Sequence, residues 1–155
     1  MTATQNTNRN NDGGIIKDSK QLLEETLKGN ETAVSEALDR SHIHVTSNRS
    51  YNNEDALASA IYLAYIYALN RYTVVKEMTA GKGFADVVFM PFIEGDTAMI
   101  VELKRNDTVE SAISQIKDRE YPEALAGYSG SVLLVGISYD EKTKEHSCKI
   151  EMHEK

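Results

Sequence analysis

Three apolar runs joined by short, glycine-containing loops constrain the fold of this chain more than any other feature. The runs read RYTVVKEM, FADVVFMP and TAMIVELK, and the loops between them are Gly81-Lys82-Gly83 and FIEGD. Runs of this length and composition are typical of strands, and glycine in a loop of hairpin length joins antiparallel neighbours. The sequence therefore predicts an antiparallel meander of three strands.

The segments after the meander extend it into a larger sheet. NDTVESAISQIKDREYPEALAGYSG predicts a helix that begins with a capping-box-like pair of Asp107 and Glu110, and Tyr121-Pro122 breaks it before a short second segment. SVLLVGISY is apolar on both alternations, as a central strand covered on both faces is, whereas HSCKIEMH alternates like an edge strand. Helices and strands in this order predict an α/β fold in which helices flank the sheet.

The segments before the meander are helical. KDSKQLLEETLKGNETAVSEALDRS predicts two short helices divided at Gly29-Asn30, and the connector after them includes a brief extended piece at Ile43 to Thr46. NNEDALASAIYLAYIYALNRY predicts a long helix. Its apolar face consists of Leu57, Ala60, Ile61, Ala64, Tyr65, Ala68 and Leu69.

Glu54 lies one turn before Leu57 on the same face of the predicted long helix. Its carboxylate is therefore expected at the end of the stripe that faces the core. The alternative is a solvated acid in the first turn, which the helix dipole favours.

Length and composition limit the class of protein. The 155 residues fit one ordinary domain, which we divide into a disordered polar leader (1–14), a helical extension with a connector (15–50) and the sheet domain (51–155). The single Cys148 excludes an internal disulfide, and no apolar run reaches the ~18 residues of a membrane span. We therefore expect a soluble, cytoplasmic protein.

Three charged residues, Asp86, Glu102 and Lys104, interrupt the apolar strands of the meander. If FIEGD closes its hairpin symmetrically, Asp86 lies opposite Glu102, and Lys104 shares a sheet face with Glu102. Facing carboxylates favour a cation between them, and oxygen ligands suit Mg²⁺. The alternative is a Glu-Lys salt bridge on a solvated sheet face, with Asp86 merely ending a loop.

These stretches resemble the PD-(D/E)XK nuclease superfamily. GFAD followed by VELK is similar to the family motif, in which an aspartate on the second core strand precedes an acid-x-lysine on the third. Together with YNNEDALASAIYLAYIYALNRY, AISQIKDREYPEAL and VLLVGISYD, it resembles the domain at the C-terminus of bacterial AAA-ATPase-like proteins. Ala85 stands where the motif often has proline, and no P-loop motif occurs, so an excised domain and a stand-alone protein both remain open.

The resemblance implies a restriction-endonuclease-like fold with the core order αβββαβ, and Mg²⁺- or Mn²⁺-dependent hydrolysis of DNA phosphodiesters. It implies metal ligation by Asp86, Glu102 and Glu54. It further implies that Lys104 assists the attacking water or the charged transition state, and that Gln115 lies near the site. An AAA-type ATPase and a second copy of the chain are the further partners that we consider.

The net charge of -7 argues against a protein that coats nucleic acid nonspecifically, because that affinity comes from Lys and Arg. A local basic patch could still bind DNA, and the alternative is scattered solvated charge. The candidates for that patch are Arg71, Lys76, Lys82, Arg105, Lys117 and Arg119. Two rivals to the enzyme stay open: a catalytically silent module that binds nucleic acid or an ATPase, and a structural domain without a ligand.

Overall fold

The computed structural model of the chain describes residues 17–45, 61–79, 84–118 and 127–153; within these ranges, the side chains of 41–45, 76–79 and 84–86 are left aside.

Five strands form one mixed sheet within the described residues. They are β1 (Tyr72–Thr79), β2 (Phe84–Pro91), β3 (Ala98–Arg105), β4 (Val132–Asp140) and β5 (Glu145–His153). Their order in space equals their order in the sequence. β3 and β4 are parallel, and the other neighbouring pairs are antiparallel. The predicted meander, the central strand and the edge strand are all confirmed.

Helix α4 (Val109–Asp118) covers one face of the sheet. It connects the parallel strands β3 and β4, a connection that requires a crossover segment and usually a helix. The buried side chains at this contact are Ile113 and Ile116 of α4, Ala98 and Ile100 of β3, and Val132 and Leu134 of β4. The sheet therefore has a helix on this face, as the apolar strands predict.

The opposite face is covered by helices that precede the sheet: α1 (residues 17–28), α2 (Glu31–Val45) and the helical turn α3 (residues 61–64). Their buried side chains join those of the sheet in one cluster, which includes Leu23, Val34, Leu38, Ile61, Tyr65, Phe89, Val101 and Val135. The predicted helical extension thus shares a core with the sheet. The domain boundary at residue 50 stays a prediction.

The junction of α1 and α2 forms where the sequence predicts it. Gly29 has a φ of 77°, which favours glycine, and the side-chain oxygen of Asn30 accepts a hydrogen bond from Ala33 N at 3.2 Å. The predicted extended piece at Ile43 to Thr46 is wrong, because α2 continues through Val45. The weak strand preference of β-branched residues does not end a helix that is already established.

The predicted long helix changes its geometry before its end. Residues 61–64 are α-helical, but Ile66–Asn70 form a 3-10 helix. A 3-10 helix has three residues per turn, so Tyr65 and Ala68 lie on one face and are buried, whereas Leu69 turns outward and is 43% exposed. Leu69 was therefore wrongly assigned to the apolar face. None of the described helices has the length and apolarity that a bilayer crossing requires.

Carboxylates of α2 cover the free edge of β5. Asp39 Oδ1 accepts a hydrogen bond from His146 N at 2.8 Å, and Glu31 Oε2 accepts one from Ile150 N at 2.7 Å. Asp39 Oδ1 also lies 2.8 Å from His146 Nδ1. Unpaired N–H groups of an edge strand invite another chain to add a strand, so these contacts protect the edge.

Gly136 lets α4 lie close to β4. A Cβ atom at position 136 would stand 2.9 Å from Val109 O, 3.1 Å from Ala112 Cβ and 3.2 Å from Ile113 Cγ1. The first of these is a backbone atom of α4, so relief of the contact requires the helix to move.

We expect Gly136→Ala to lower the free energy of unfolding by about 1–3 kcal/mol, because it overpacks the contact between α4 and β4. The measurement is urea unfolding followed by circular dichroism. Gly127→Ala is the matched control, since nothing lies within 4 Å of its added Cβ. Equal unfolding midpoints for the two variants would contradict the close approach of α4.

We also expect stability to fall as the pH drops below about 6.5. Burial lowers the pKa of His146 from 6.5, and the contact with Asp39 offsets part of that effect. Below pH 6.5 the unfolded chain therefore binds a proton at this residue more readily than the folded chain, which favours unfolding. The free energy of unfolding, measured between pH 5.5 and 7.5, should depend less on pH in His146→Gln than in His153→Gln. A steeper dependence in His146→Gln would contradict the burial argument.

Candidate functional site

Acidic residues occupy neighbouring positions in one row across the sheet. The Cα partner of Asp86 in β3 is Glu102, so the predicted pairing is confirmed. On its other side Asp86 pairs with Glu77 of β1, and Glu102 pairs with Gly136 of β4. The backbone register thus brings three acids together on adjacent strands.

Glu102 and Lys104 lie on the sheet face that α4 covers. Residues two apart in a strand share a face, and here the other members of that face, Ala98 and Ile100, contact α4. Glu102 is 0% exposed and Lys104 is 3% exposed. The alternative of a salt bridge on a solvated sheet face is therefore wrong.

The Lys104 ammonium is held by groups of α4 and of the turn before it. Lys104 Nζ donates a hydrogen bond to Gln115 Oε1. It also lies 3.9 Å from Asp107 Oδ2. Gln115 follows the buried Ala112 by three residues, so it lies on a flank of α4 next to the sheet. The structure thus brings Lys104 and Gln115 together.

The start of α4 differs in detail from the predicted pair of Asp107 and Glu110. Thr108 is the capping residue, since its Oγ1 accepts a hydrogen bond from Ser111 N at 3.0 Å. Asp107 Oδ1 instead accepts from Thr108 N at 2.7 Å, and Asp107 Oδ2 accepts from Ser111 Oγ at 3.3 Å. The carboxylate of Asp107 is therefore held beside the first turn of α4, close to Lys104.

The turn between β3 and α4 is anchored to the turn that follows β4. Arg105 Nη2 lies 2.8 Å from Glu141 Oε2, and Asn106 Oδ1 accepts a hydrogen bond from Glu141 N at 2.9 Å. Hydrogen bonds from Arg105 and Asn106 lower the pKa of Glu141 below its ordinary value. These contacts keep the chain fixed directly after Lys104.

Two of the predicted ligands are described in part or not at all. Glu54 lies outside the described residues, and Asp86 is placed by its backbone register alone. Among the described residues, no group of three or more His, Cys, Asp or Glu is arranged to hold a metal ion. Of the predicted ligands, Glu102 is therefore the one whose burial is known.

Of the basic-patch candidates whose side chains are described, two are held in ion pairs. Lys117 Nζ lies 2.9 Å from Glu151 Oε2 on β5, and Arg105 is engaged with Glu141. The Arg71 guanidinium lies 5.8 Å from the ring centre of Tyr72, at the opposite end of β1 from Glu77. The side chains of Lys76, Lys82 and Arg119 are outside the described set.

Sequence reasoning missed the contacts of Ser138 and of the Asp107 carboxylate. Ser138 pairs with Lys104 in the register of β3 and β4, and its Oγ donates a hydrogen bond to the backbone oxygen of Asp107. The available signal was an acid three residues after the lysine, together with a single serine in an apolar central strand. The serine can be connected with the acid only when it is known that β4 lies beside β3.

We expect Gln115→Leu to lower the free energy of unfolding by about 1–3 kcal/mol, because it deprives a buried ammonium of a hydrogen-bond acceptor. In a Lys104→Met background, where the ammonium is gone, the same substitution should cost less than about 0.5 kcal/mol. A double-mutant cycle measured by urea unfolding gives the coupling directly.

Ser114→Ala, at an exposed position of the same helix, serves as the control for the cycle. It should leave stability within about 0.5 kcal/mol of the parent chain. Additive effects of Lys104→Met and Gln115→Leu would mean that the hydrogen bond between them contributes nothing to the fold.

Comparison with known proteins agrees with this geometry. The sequence of residues 52–148 matches the family described as the PD-(D/E)XK nuclease superfamily. No curated protein and no solved structure matches the chain. The match includes the row of Asp86 and Glu102 as well as Lys104 and Gln115, and it covers more than half of the 155 residues. The chain therefore belongs to the PD-(D/E)XK nuclease superfamily.

Proposed function

We propose that this protein hydrolyses DNA phosphodiesters with the help of Mg²⁺ or Mn²⁺. One observation carries the proposal: Asp86 pairs directly with Glu102, and Lys104 is buried on the same sheet face as Glu102. Membership of a nuclease superfamily supports the same reaction class. Burying charges on a covered sheet face lowers the stability of the fold, so charges at such positions are expected to have a function.

The residues fit a divalent cation. Glu102 is fully buried, and a second acid occupies the register position directly opposite it. Adjacent carboxylates repel each other and are stabilised by a cation between them, and carboxylate oxygens are the ligands that Mg²⁺ prefers. We propose Asp86, Glu102 and Glu54 as the residues that hold it. When bound, such a cation polarises the phosphate and lowers the pKa of water.

The remaining residues act on the phosphate and on its surroundings. The Lys104 ammonium donates to a phosphate oxygen and stabilises the negative charge that develops there when water attacks the phosphorus atom. Gln115 accepts a hydrogen bond from that ammonium and so limits its motion. A fixed donor needs no reorganisation when the charge develops, which is the source of its catalytic value.

A second candidate function is a catalytically silent module that binds nucleic acid or an AAA-type ATPase through the same fold. The net charge of -7 and the ion pairs of Arg105 and Lys117 favour its ATPase-binding form, because they leave few cations available to phosphates. The buried Lys104 beside Glu102 favours the enzyme, since a binding module has no need of that pair.

We expect the protein to cleave supercoiled, linear or branched DNA in Mg²⁺ or Mn²⁺ and to lose cleavage when EDTA removes the metal. Asp86→Asn and Lys104→Ala should each lower the rate by about 100-fold or more, since the first removes a ligand of the cation and the second removes a donor to the reacting phosphate. Gel analysis of the three substrates with both metals measures the rates.

Lys142→Ala, at an exposed position of the turn after β4, is the matched control and should cleave at the parent rate. Cleavage that persists in both Asp86→Asn and Lys104→Ala at the level of this control would contradict the enzyme. DNA or ATPase binding without any cleavage would establish the silent module instead.

A further inference from the structure

Asp107 stands next to the site without belonging to the family motif. Its Oδ2 lies 3.9 Å from Lys104 Nζ, and its backbone oxygen accepts a hydrogen bond from Ser138 Oγ. We propose that Asp107 is a positioning residue that fixes the Lys104 ammonium for the reaction. The catalytic consequence rests on the proposed function, whereas the contact with Lys104 can be tested without it.

Lys104 needs such a partner because its side chain is only 4% exposed. An ammonium taken out of water is costly unless anions or acceptors compensate for the lost hydration. Gln115 Oε1 of α4 offers a neutral acceptor. The Asp107 carboxylate, in the turn between β3 and α4, adds a negative charge. Together they restrict the ammonium more than a single acceptor on a long, flexible side chain can.

The Asp107 carboxylate is itself held in place before any substrate arrives. Thr108 N donates to Oδ1 at 2.7 Å, and Ser111 Oγ donates to Oδ2 at 3.3 Å. Each of its oxygens therefore has a donor in the first turn of α4. A carboxylate fixed in this way loses little further freedom when it attracts the lysine, so the ion pair costs less entropy than an ordinary surface pair.

Ser138 connects this arrangement to the sheet. It pairs with Lys104 in the parallel register of β3 and β4, and it is 6% exposed. Its hydrogen bond to the backbone oxygen of Asp107 ties the start of α4 to the strand beside Lys104. Each of Lys104, Ser138 and Asp107 is thus next to the other two. Ser138 holds the backbone of Asp107 beside the strand that carries Lys104.

The Asp107 carboxylate is not needed to cap α4. Thr108 Oγ1 already accepts the hydrogen bond from Ser111 N that defines the cap. The Asp107 side chain is 45% exposed, so it stands between solvent and the nearly buried lysine.

The first experiment compares Asp107→Asn with Asp118→Asn, an exposed acid on the same helix. Asparagine keeps the shape of the side chain and one acceptor oxygen, but it removes the charge and replaces the second oxygen with a donor NH2 group. We expect Asp107→Asn to lower kcat about 10-fold with KM within about 2-fold of the parent value, because the ammonium is misplaced in the transition state while substrate binding is kept. Asp107→Glu should recover part of kcat, and Asp118→Asn should equal the parent.

The second experiment does not depend on cleavage. Lysine acylation by a water-soluble ester, followed by mass spectrometry, reports how accessible each amine is. Lys104 should react much more slowly than the exposed Lys142 in the parent chain, and at least about 3-fold faster in Asp107→Asn than in Asp118→Asn. Ser138→Ala, which keeps the charge but removes the support, should raise the rate in the same direction. Urea unfolding confirms that each variant is folded.

The outcomes separate this inference from the proposed function. Active parent protein with equal kcat values in Asp107→Asn and Asp118→Asn would overturn the positioning role. An inactive parent protein would contradict the proposed nuclease function. The acylation rates would then still test whether Asp107 contacts Lys104. Equal acylation of Lys104 in the two variants would show that Asp107 does not hold the ammonium.

Discussion

The burial of Glu102 and Lys104 in an otherwise apolar strand is the constraint on which the site depends. The rest of β3 faces either α4 or the N-terminal helices, so both charges are enclosed by the same packing that makes the sheet stable. α4 can lie this close because Gly136 has no side chain, and that closeness brings Gln115 and Asp107 to the lysine. The packing of α4 therefore removes the two charges from water, which is unfavourable, and it also brings the polar groups that offset part of that free energy.

Much of this was predictable because local patterns determine it. The hairpin loop FIEGD sets the register that pairs Asp86 with Glu102, since a shift of one residue would move the apolar side chains of β2 to the wrong face. The meander of β1, β2 and β3 and the cap at Asn30 follow from patterns of the same local kind. The family resemblance then named the roles that spacing alone left open.

The failures have the opposite cause, because contacts distant in sequence decided them. Periodicity could not show that the helix tightens to 3-10 geometry after Tyr65, where the chain must turn to enter β1. Spacing likewise could not show that Lys117 would pair with Glu151 of β5. The role of Ser138 depended on β4 lying beside β3, which only the assembled sheet makes visible.

The proposed site depends on one divalent metal ion shared by Asp86 and Glu102. Anomalous diffraction from crystals soaked in Mn²⁺ tests it most directly. We expect an anomalous peak about 2.1 Å from a carboxylate oxygen of Asp86 and from one of Glu102. A peak bound to other acids, with none between these two at saturating Mn²⁺, would contradict it.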